Sequence, residues 1–377
     1  MSANSKYDVA IVGGGLAGLS LSILLARSNY RVCLFEKESY PFHKVCGEYI
    51  SMESWDFLIK LGLPLEAWDL PKIHQLHITS PGGISITETL PLGGFGISRY
   101  KLDAAMASLA KQAGVDLFEN SKVHNIHFEG GIHTIESNTG LHTATVACAC
   151  YGKKSNLDVK WKRRFIKEDG TQNYVGVKYH VRANLPESQI ALHNFHGGYC
   201  GISRIEDGRY CLCYLTISEN LKNNGHSIAL MEDKVLKQNP ALKKLLEEVS
   251  VIYDEPVTIA QISFAKKSQV ENHVLCIGDA AGMIAPLCGN GMSMALHGSK
   301  IAAGTIGTFL SRQVSREDME RIYQKNWNRL FAKRLRTGRF IQRFFGNTLW
   351  SGILIRALKP FPFLIRSLTR QTHGQSF

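Results

Sequence analysis

The chain has 377 residues, 44% of them hydrophobic and 20% charged, which suits one large domain or two closely packed ones and excludes a disordered chain. The net charge of +12 is unevenly placed: residues 311–377 hold 14 Lys/Arg against 3 acids, so the basic character belongs to a tail and no nucleic-acid groove is expected over the fold. No apolar run reaches the ~18–20 residues of a spanning helix, and because the fold signal starts by Tyr7 no leader is expected.

Tyr7–Val12 is a short apolar run of the kind buried in a parallel sheet. Gly13-Gly14-Gly15-Leu16-Ala17-Gly18 follows and supplies G-x-G-x-x-G, then Leu19–Arg27 reads as a helix. A second strand, Arg31–Glu36, ends in an acid 18 residues past Gly18. In such a unit Gly13 makes the tight turn, Gly15 lets backbone N–H groups reach a pyrophosphate, and Gly18 allows close helix–strand packing. The helix N-terminus favours the phosphate charge, and Glu36 can accept from a ribose diol while repelling a 2′-phosphate. The site therefore reads as one for FAD or NAD.

Residues 73–98 are Gly-rich and alternating, and read as a strand pair. Beyond residue 156, Gln172–Val181, Ile190–Asn194 and Tyr210–Thr216 fit a half-buried antiparallel sheet, with a helix near Ser227–Leu236. His273–Ile277 is an apolar strand running into Gly278-Asp279, with Pro286, Gly289 and Gly291 next and a helix over 292–309. An Asp at the C-terminal end of such a strand sits where ligands of these sheets bind, and can accept from ribityl hydroxyls. A helix opening at Gly291 would aim its positive end at a flavin carbonyl that gains charge on reduction.

Two further segments carry a family resemblance. Lys44-Val-Cys46-Gly47-Glu48 is similar to the Cys-Gly loop of geranylgeranyl reductases, and Arg99 matches an Arg that opens a helix and contacts FAD. With the glycine loop and Gly278-Asp279, residues 5–310 resemble the flavoprotein superfamily of para-hydroxybenzoate hydroxylase and geranylgeranyl reductase. The resemblance implies an α/β fold: a Rossmann-like FAD-binding domain with an inserted antiparallel β-sheet substrate domain, here followed by a C-terminal helical segment. The expected boundaries are 1–72, 99–155 and 265–310 for a discontinuous FAD domain, 73–98 and 156–264 for the substrate domain, and 311–377 for the basic segment. The cofactor is expected on Gly13, Gly15, Leu16, Ala17, Gly18, Glu36, Lys37, Lys44, Cys46, Arg99, Val123, Asp279, Gly289, Gly291 and Met292. Cys46, Glu48 and Tyr199 are candidates for the substrate pocket. No metal site is expected, because His74/His77 and His193/His196 fall on opposite strand faces.

The implied activity is that of an FAD-dependent oxidoreductase on a hydrophobic isoprenoid, quinone or polyketide-like molecule, as double-bond reductase or monooxygenase. The alternative is a non-catalytic, membrane-associated flavin-binding protein. Tyr151 stands where the hydroxylases carry an acid tied to NAD(P)H use, so the electron donor is either NAD(P)H or a redox protein. Gly198-Tyr199-Cys-Gly201 keeps only the Tyr of the archaeal reductases' Tyr-x-Trp-x-Phe-Pro, and the W-x-W-x-I-P of halogenases is missing. Nine cysteines without a dense framework indicate free thiols and a cytoplasmic protein. In the tail, Phe340–Phe345, Leu349–Leu358 and Phe361–Ile365 interleave apolar residues with Arg and Lys. Two readings stand: a peripheral contact with the inner membrane face, or a helix packed on the FAD domain with a solvated basic face.

Overall fold

The computed structural model describes residues 6–167, 173–253, 255–342, 348–358, 360, 363 and 369–377. Parts of the apolar clusters Phe340–Phe345 and Phe361–Ile365, and residue 172 of the expected strand at Gln172–Val181, lie outside them.

The first half of the chain alternates between two sheets. It contains β1 (Lys6–Val12), α1 (Leu16–Arg27), β2 (Val32–Phe35), β3 (Tyr49–Ser51), α2 (Trp55–Lys60), β4 (Lys72–Thr79) and β5 (Ser85–Gly96). Then come α3 (Arg99–Gln112), β6 (Asp116–Phe118), β7 (Val123–Glu129), β8 (Ile132–Ser137) and β9 (Gly140–Ala149). The central insertion holds α4 (Asn156–Lys160), α5 (Arg164–Lys167), β10 (Tyr174–Arg182), β11 (Gln189–Phe195), β12 (Gly198–Arg204) and β13 (Tyr210–Ile217). It continues with α6 (Ser218–Asn223), α7 (Ile228–Lys234), α8 (Pro240–Glu248), β14 (Ser250–Val251) and β15 (Val257–Ile262). The chain returns through β16 (Val270–Glu271) and β17 (Val274–Cys276) to α9 (Gly291–Leu310), α10 (Arg316–Gln342) and α11 (Thr348–Leu358).

The first sheet has the order β16-β17-β9-β1-β2-β6, with β7 and β8 folded off β9 as an antiparallel meander. Its central pairs are parallel, and both faces are covered, so β1 and β2 carry the near-continuous apolar runs seen in the sequence. The register sets Val12 beside Phe35 and Ala149, and Ala149 beside Cys276. The strands therefore end flush, and the Gly13 turn, Cys150 and the Gly278 turn leave from one edge, where open α/β sheets bind ligands. The second sheet runs β14-β10-β13-β12-β11-β4-β5-β3, antiparallel except where β11 meets β4.

Some elements differ from the sequence expectation. The first helix begins at Leu16, so Gly18 lies in its opening turn. Strand β12 was not expected, because Gly198 and Gly201 weaken its pattern; a Cβ at Gly198 would lie 2.2 Å from the Leu215 carbonyl oxygen, so the neighbouring strand requires the glycine. Helix α7 matches the helix expected near Ser227–Leu236, with Ser227 as its N-cap. In the tail, α10 buries Met319, Tyr323, Trp327, Phe331 and Leu335 in the core of the first sheet. A fully buried Phe such as Phe331 contributes ~1.5–3 kcal/mol. Helix α11 instead lays Ile355 against Ile86 of β5.

Candidate functional site

A cleft of about 1320 Å3, counting its open mouth, lies between the flush strand ends of the first sheet and one face of the second. One end of it is made by α1. Gly13 has φ +108, and a Cβ there would lie 2.5 Å from the Cys150 carbonyl oxygen; at Gly18 a Cβ would lie 2.0 Å from that of Gly13. Only glycines permit this turn and this approach. Helix α1 has no side-chain cap at Gly15, so its first N–H groups remain open toward the cleft. A Cβ at Gly15 would meet only Arg99 Nη2 at 3.6 Å and Lys44 Nζ at 4.0 Å. Two cations and an uncapped helix end thus face one gap.

The cations are held in place. Ser98 caps α3, accepting from Lys101 N at 3.1 Å, and Glu206 from the β12–β13 connection accepts from Ser98 N at 2.7 Å. Arg99 then opens the helix and donates twice to Asp103, at 2.7 Å each, while Lys44 reaches Asp103 at 3.1 Å. Burial alone would raise the Asp103 carboxyl; Arg99 and Lys44 overcome it and hold the group below the ordinary carboxylate range. Glu36 is buried at the end of β2, accepting from Gly14 N at 2.9 Å and Glu38 N at 3.2 Å.

The opposite end of the cleft is the Gly278 turn. Asp279 lines the cleft. Lys267, itself buried, donates to the Asp279 carbonyl at 2.9 Å, and Arg163 donates to that of Ala280 at 3.0 Å. Arg163 is paired with Asp158 at 2.9 Å with both side chains fully buried, and Tyr151 donates to the same carboxylate at 2.5 Å. Gly289 is left-handed, and α9 opens at Gly291 without a side-chain cap, with Gly291 and Met292 on the cleft wall. A second helix N-terminus therefore opens onto the same cleft.

The middle of the cleft holds the Cys-Gly loop. Cys46 lines it, its thiol 3.5 Å from Met292 Sδ, and Cys213 of β13 lines it too. Glu48 is fully buried in a left-handed backbone conformation, φ +55. Its carboxylate accepts from Arg99 N at 2.8 Å, from Lys178 Nζ, and pairs with His180 Nε2 at 2.6 Å. Burial would raise this carboxyl; Lys178 and His180 overcome it and hold it at about 2. Glu48, His180 and Cys211 have their ligand atoms within 4.8 Å of one another, but Lys178 already places an ammonium on the carboxylate that a metal would need. Toward the second sheet the wall turns apolar, with Ile190, Leu192, Ile202, Leu215 and Ile262 facing Met283 and Ile284. Tyr199 is buried among them.

Of the residues singled out in the sequence, Gly15, Leu16, Ala17, Cys46 and Glu48 meet in this cleft. Arg99, Tyr199, Asp279, Gly289, Gly291 and Met292 join them from distant parts of the chain. Gly13, Gly18 and Glu36 adjoin the wall without lining it, and Lys44 stands beside Gly15. Lys37 does not join them: it is exposed and paired with Glu38. Val123 is buried at the start of β7. Sequence reasoning missed Asp103, although its spacing of four from Arg99 on a helix was a readable signal. It also missed Lys178 and His180, whose i, i+2 spacing in an otherwise apolar strand put two polar groups on one face.

Two uncapped helix N-termini, paired cations over the glycine loop, and an acid at the far strand end fit an extended dinucleotide with a flavin. The fold and site define an FAD-dependent oxidoreductase. The chain belongs to the FAD binding domain family, whose profile matches residues 6–318. It is 29% identical to conditioned medium factor receptor 1 of Dictyostelium discoideum over 364 residues, covering 87% of this chain and 68% of that one. It is 23% identical to digeranylgeranylglycerophospholipid reductase 1 of Methanococcoides burtonii, covering 90% and 84%. The structure of the flavin-dependent brominase Bmp2 superposes with a TM-score of 0.78 at 18% identity, over 99% of this chain and 94% of that one, which shows a shared fold. No helix among the described residues is long and apolar enough to cross a membrane.

Proposed function

We propose that this flavoenzyme reduces a carbon–carbon double bond in a hydrophobic, isoprenoid- or quinone-like molecule. The observation that carries the reading is the cleft itself: a cofactor groove that opens directly onto a wall of Ile, Leu and Met side chains. Such a wall gains ~25 cal/mol per Å2 of apolar surface removed from water and offers little to a polar ligand. Similarity to reductases acting on digeranylgeranylglycerophospholipid supports the substrate class.

Reduced FAD, when bound, would supply the hydride and a solvent proton would complete the second carbon, leaving oxidised FAD for the electron donor to reduce again. In this assignment Gly13, Gly15, Leu16, Ala17 and Gly18 receive the diphosphate, with Arg99 and Lys44 balancing its charge. Glu36 takes the ribose and Asp279 the ribityl chain. Met292 and Cys46 border the ring position. Tyr199, whose hydroxyl burial pushes far above the ordinary phenol range, keeps its proton at Oη and shapes the apolar wall. Tyr151 is tied to Asp158 and Arg163 in the interior and offers no acid to a nicotinamide cofactor. A redox protein or quinol is therefore the preferred reductant over NAD(P)H.

The test is anaerobic incubation of the dithionite-reduced holoenzyme with a digeranylgeranyl lipid or a menaquinone. Products heavier by one hydrogen pair per reduced bond are expected by mass spectrometry. A product that forms only with oxygen, and carries an oxygen atom, would replace this reading with a monooxygenase.

A further inference from the structure

Helix α10 has two faces of opposite character. Its inner face packs on the turn that forms the cleft: a Cβ at Gly282 would lie 2.8 Å from Trp327, and one at Gly338 would lie 3.0 Å from Ile284 and 3.4 Å from Cys288 Sγ. Arg334 also points inward, to Glu53 at 3.4 Å. The outer face carries Arg321, Lys325, Arg329, Lys333 and Arg336, spaced by four, four, four and three residues and all exposed, and ends at Phe340. This ladder runs about 28 Å along the helix at 1.5 Å per residue.

Arg321 is paired with Asp318. Among the described residues Lys325, Arg329, Lys333 and Arg336 have no acidic partner, and residues 321–377 contain no Asp or Glu. Like charges at i, i+4 cost a helix ~0.2–0.5 kcal/mol per pair. A ladder that only solvated the helix would alternate in sign. A row of one sign calls for an anionic surface. Phe340 is 57% exposed at its end, and Ile353 and Phe363 on the following chain are 56% and 61% exposed. An exposed aromatic residue at the end of a row of cations matches the boundary of headgroups and acyl chains, whereas a polyanion in water has no use for Phe340.

We propose that the outer face of α10, from Lys325 to Phe340, docks the enzyme on an anionic lipid bilayer. The same turns of helix contact the cleft from behind. Gly338 packs on Ile284, which lines the cleft, and Gln342 lies against Tyr174, a neighbour of the apolar wall. Docking would bring the apolar wall close to the lipid phase. That consequence rests on the substrate reading above; the docking does not.

The experiment is co-sedimentation of the full-length holoenzyme with phosphatidylcholine vesicles, with and without phosphatidylglycerol. Binding is expected only to the vesicles containing phosphatidylglycerol, and should be lost at ~1 M salt, where screening acts within ~3 Å. Each basic residue near an anionic surface gives about five-fold in partition, or ~1 kcal/mol. Lys325→Gln with Arg329→Gln and Lys333→Gln should therefore weaken partition roughly a hundred-fold, with FAD content and melting temperature unchanged. Phe340→Ser should weaken vesicle binding while leaving retention on heparin intact. Absence of wild-type binding, or a folded triple variant that binds as wild type, overturns the proposal. So does a Phe340→Ser variant that binds vesicles normally while the protein binds duplex DNA more tightly than vesicles. Turnover of substrate in detergent micelles reads the substrate assignment separately, so either idea can fail alone.

Discussion

Lys178→Met is the sharpest perturbation available in the cleft. Lys178 and Glu48 are both buried and in direct contact, and the substitution keeps the volume while removing the ammonium. The Glu48 carboxyl is held down from 4.5 to about 2. Burial raises this carboxyl, and Lys178 is the first of the groups that bring it down. Breaking a buried ion pair from one side costs ~3–5 kcal/mol, because the partner charge is left alone in the interior. The sign follows from the depressed value: the contribution is complete above the ordinary carboxyl range and is lost as pH falls from 4.5 through about 2. Urea unfolding followed by far-UV circular dichroism, with FAD in fixed excess, should show the variant weaker by ~3–5 kcal/mol at pH 7. The two curves should converge only as pH falls below about 2, where Glu48 becomes protonated in the wild type as well. Adding Glu48→Gln to Lys178→Met should restore part of the loss, since no buried charge is then left alone. A single variant within ~0.5 kcal/mol of wild type at pH 7, the range of an ordinary surface change, would refute the account.

Three further outcomes follow from the cofactor end. Asp279→Ala should raise the Kd for FAD about 10–100-fold, the value of a hydrogen bond to a charged group; normal flavin content and affinity would remove Asp279 from the site. Gly18→Ala forces a Cβ to within 2.0 Å of the Gly13 carbonyl oxygen, so it should lose ~1–3 kcal/mol and bind less FAD; a melting temperature and flavin occupancy like wild type would show that the turn relaxes freely. Under anaerobic stopped flow, bound flavin should bleach far more slowly with NADPH than with dithionite, because Tyr151 is locked to Asp158 and Arg163. Bleaching by NADPH as fast as by dithionite would sink that donor assignment.

The parts of the fold readable from sequence were those whose signal is local. The run Tyr7–Val12, the glycines and the second apolar strand lie within thirty residues, and β1, α1 and β2 follow that order. The same holds for Gly278-Asp279 and α9. What stayed hidden depends on register across the second sheet. Lys178 and His180 reach Glu48 from 130 and 132 residues away, and no pattern near Glu48 announces them. Cysteines at i, i+2 in a strand pack like small hydrophobes, and only the placement of β13 against the first sheet puts Cys213 in the cleft. The tail read as two alternatives because composition mixes the faces of α10, while the helix separates them.

Placement of the polar groups also explains how two sheets can form one cleft. Glu48, directly before β3, binds Lys178 and His180 of β10 while holding Arg99 N. Glu206 of the second sheet binds Ser98, the residue before Arg99. Lys267 and Arg163 donate to the carbonyls of Asp279 and Ala280, one each. Glu48 and Glu206 are thus buried, hydrogen-bonded charges that tie the second sheet to the start of α3, next to Arg99. Between the joints the walls are aliphatic. Such joints tolerate little change, because removing one partner strands the other in the interior. Aliphatic walls tolerate exchanges of similar volume at less than ~1.5 kcal/mol. Substrate range should therefore shift through Ile202, Leu215 and Ile262 without loss of the flavin, while changes at Glu48 or Glu206 should disturb cofactor and substrate together.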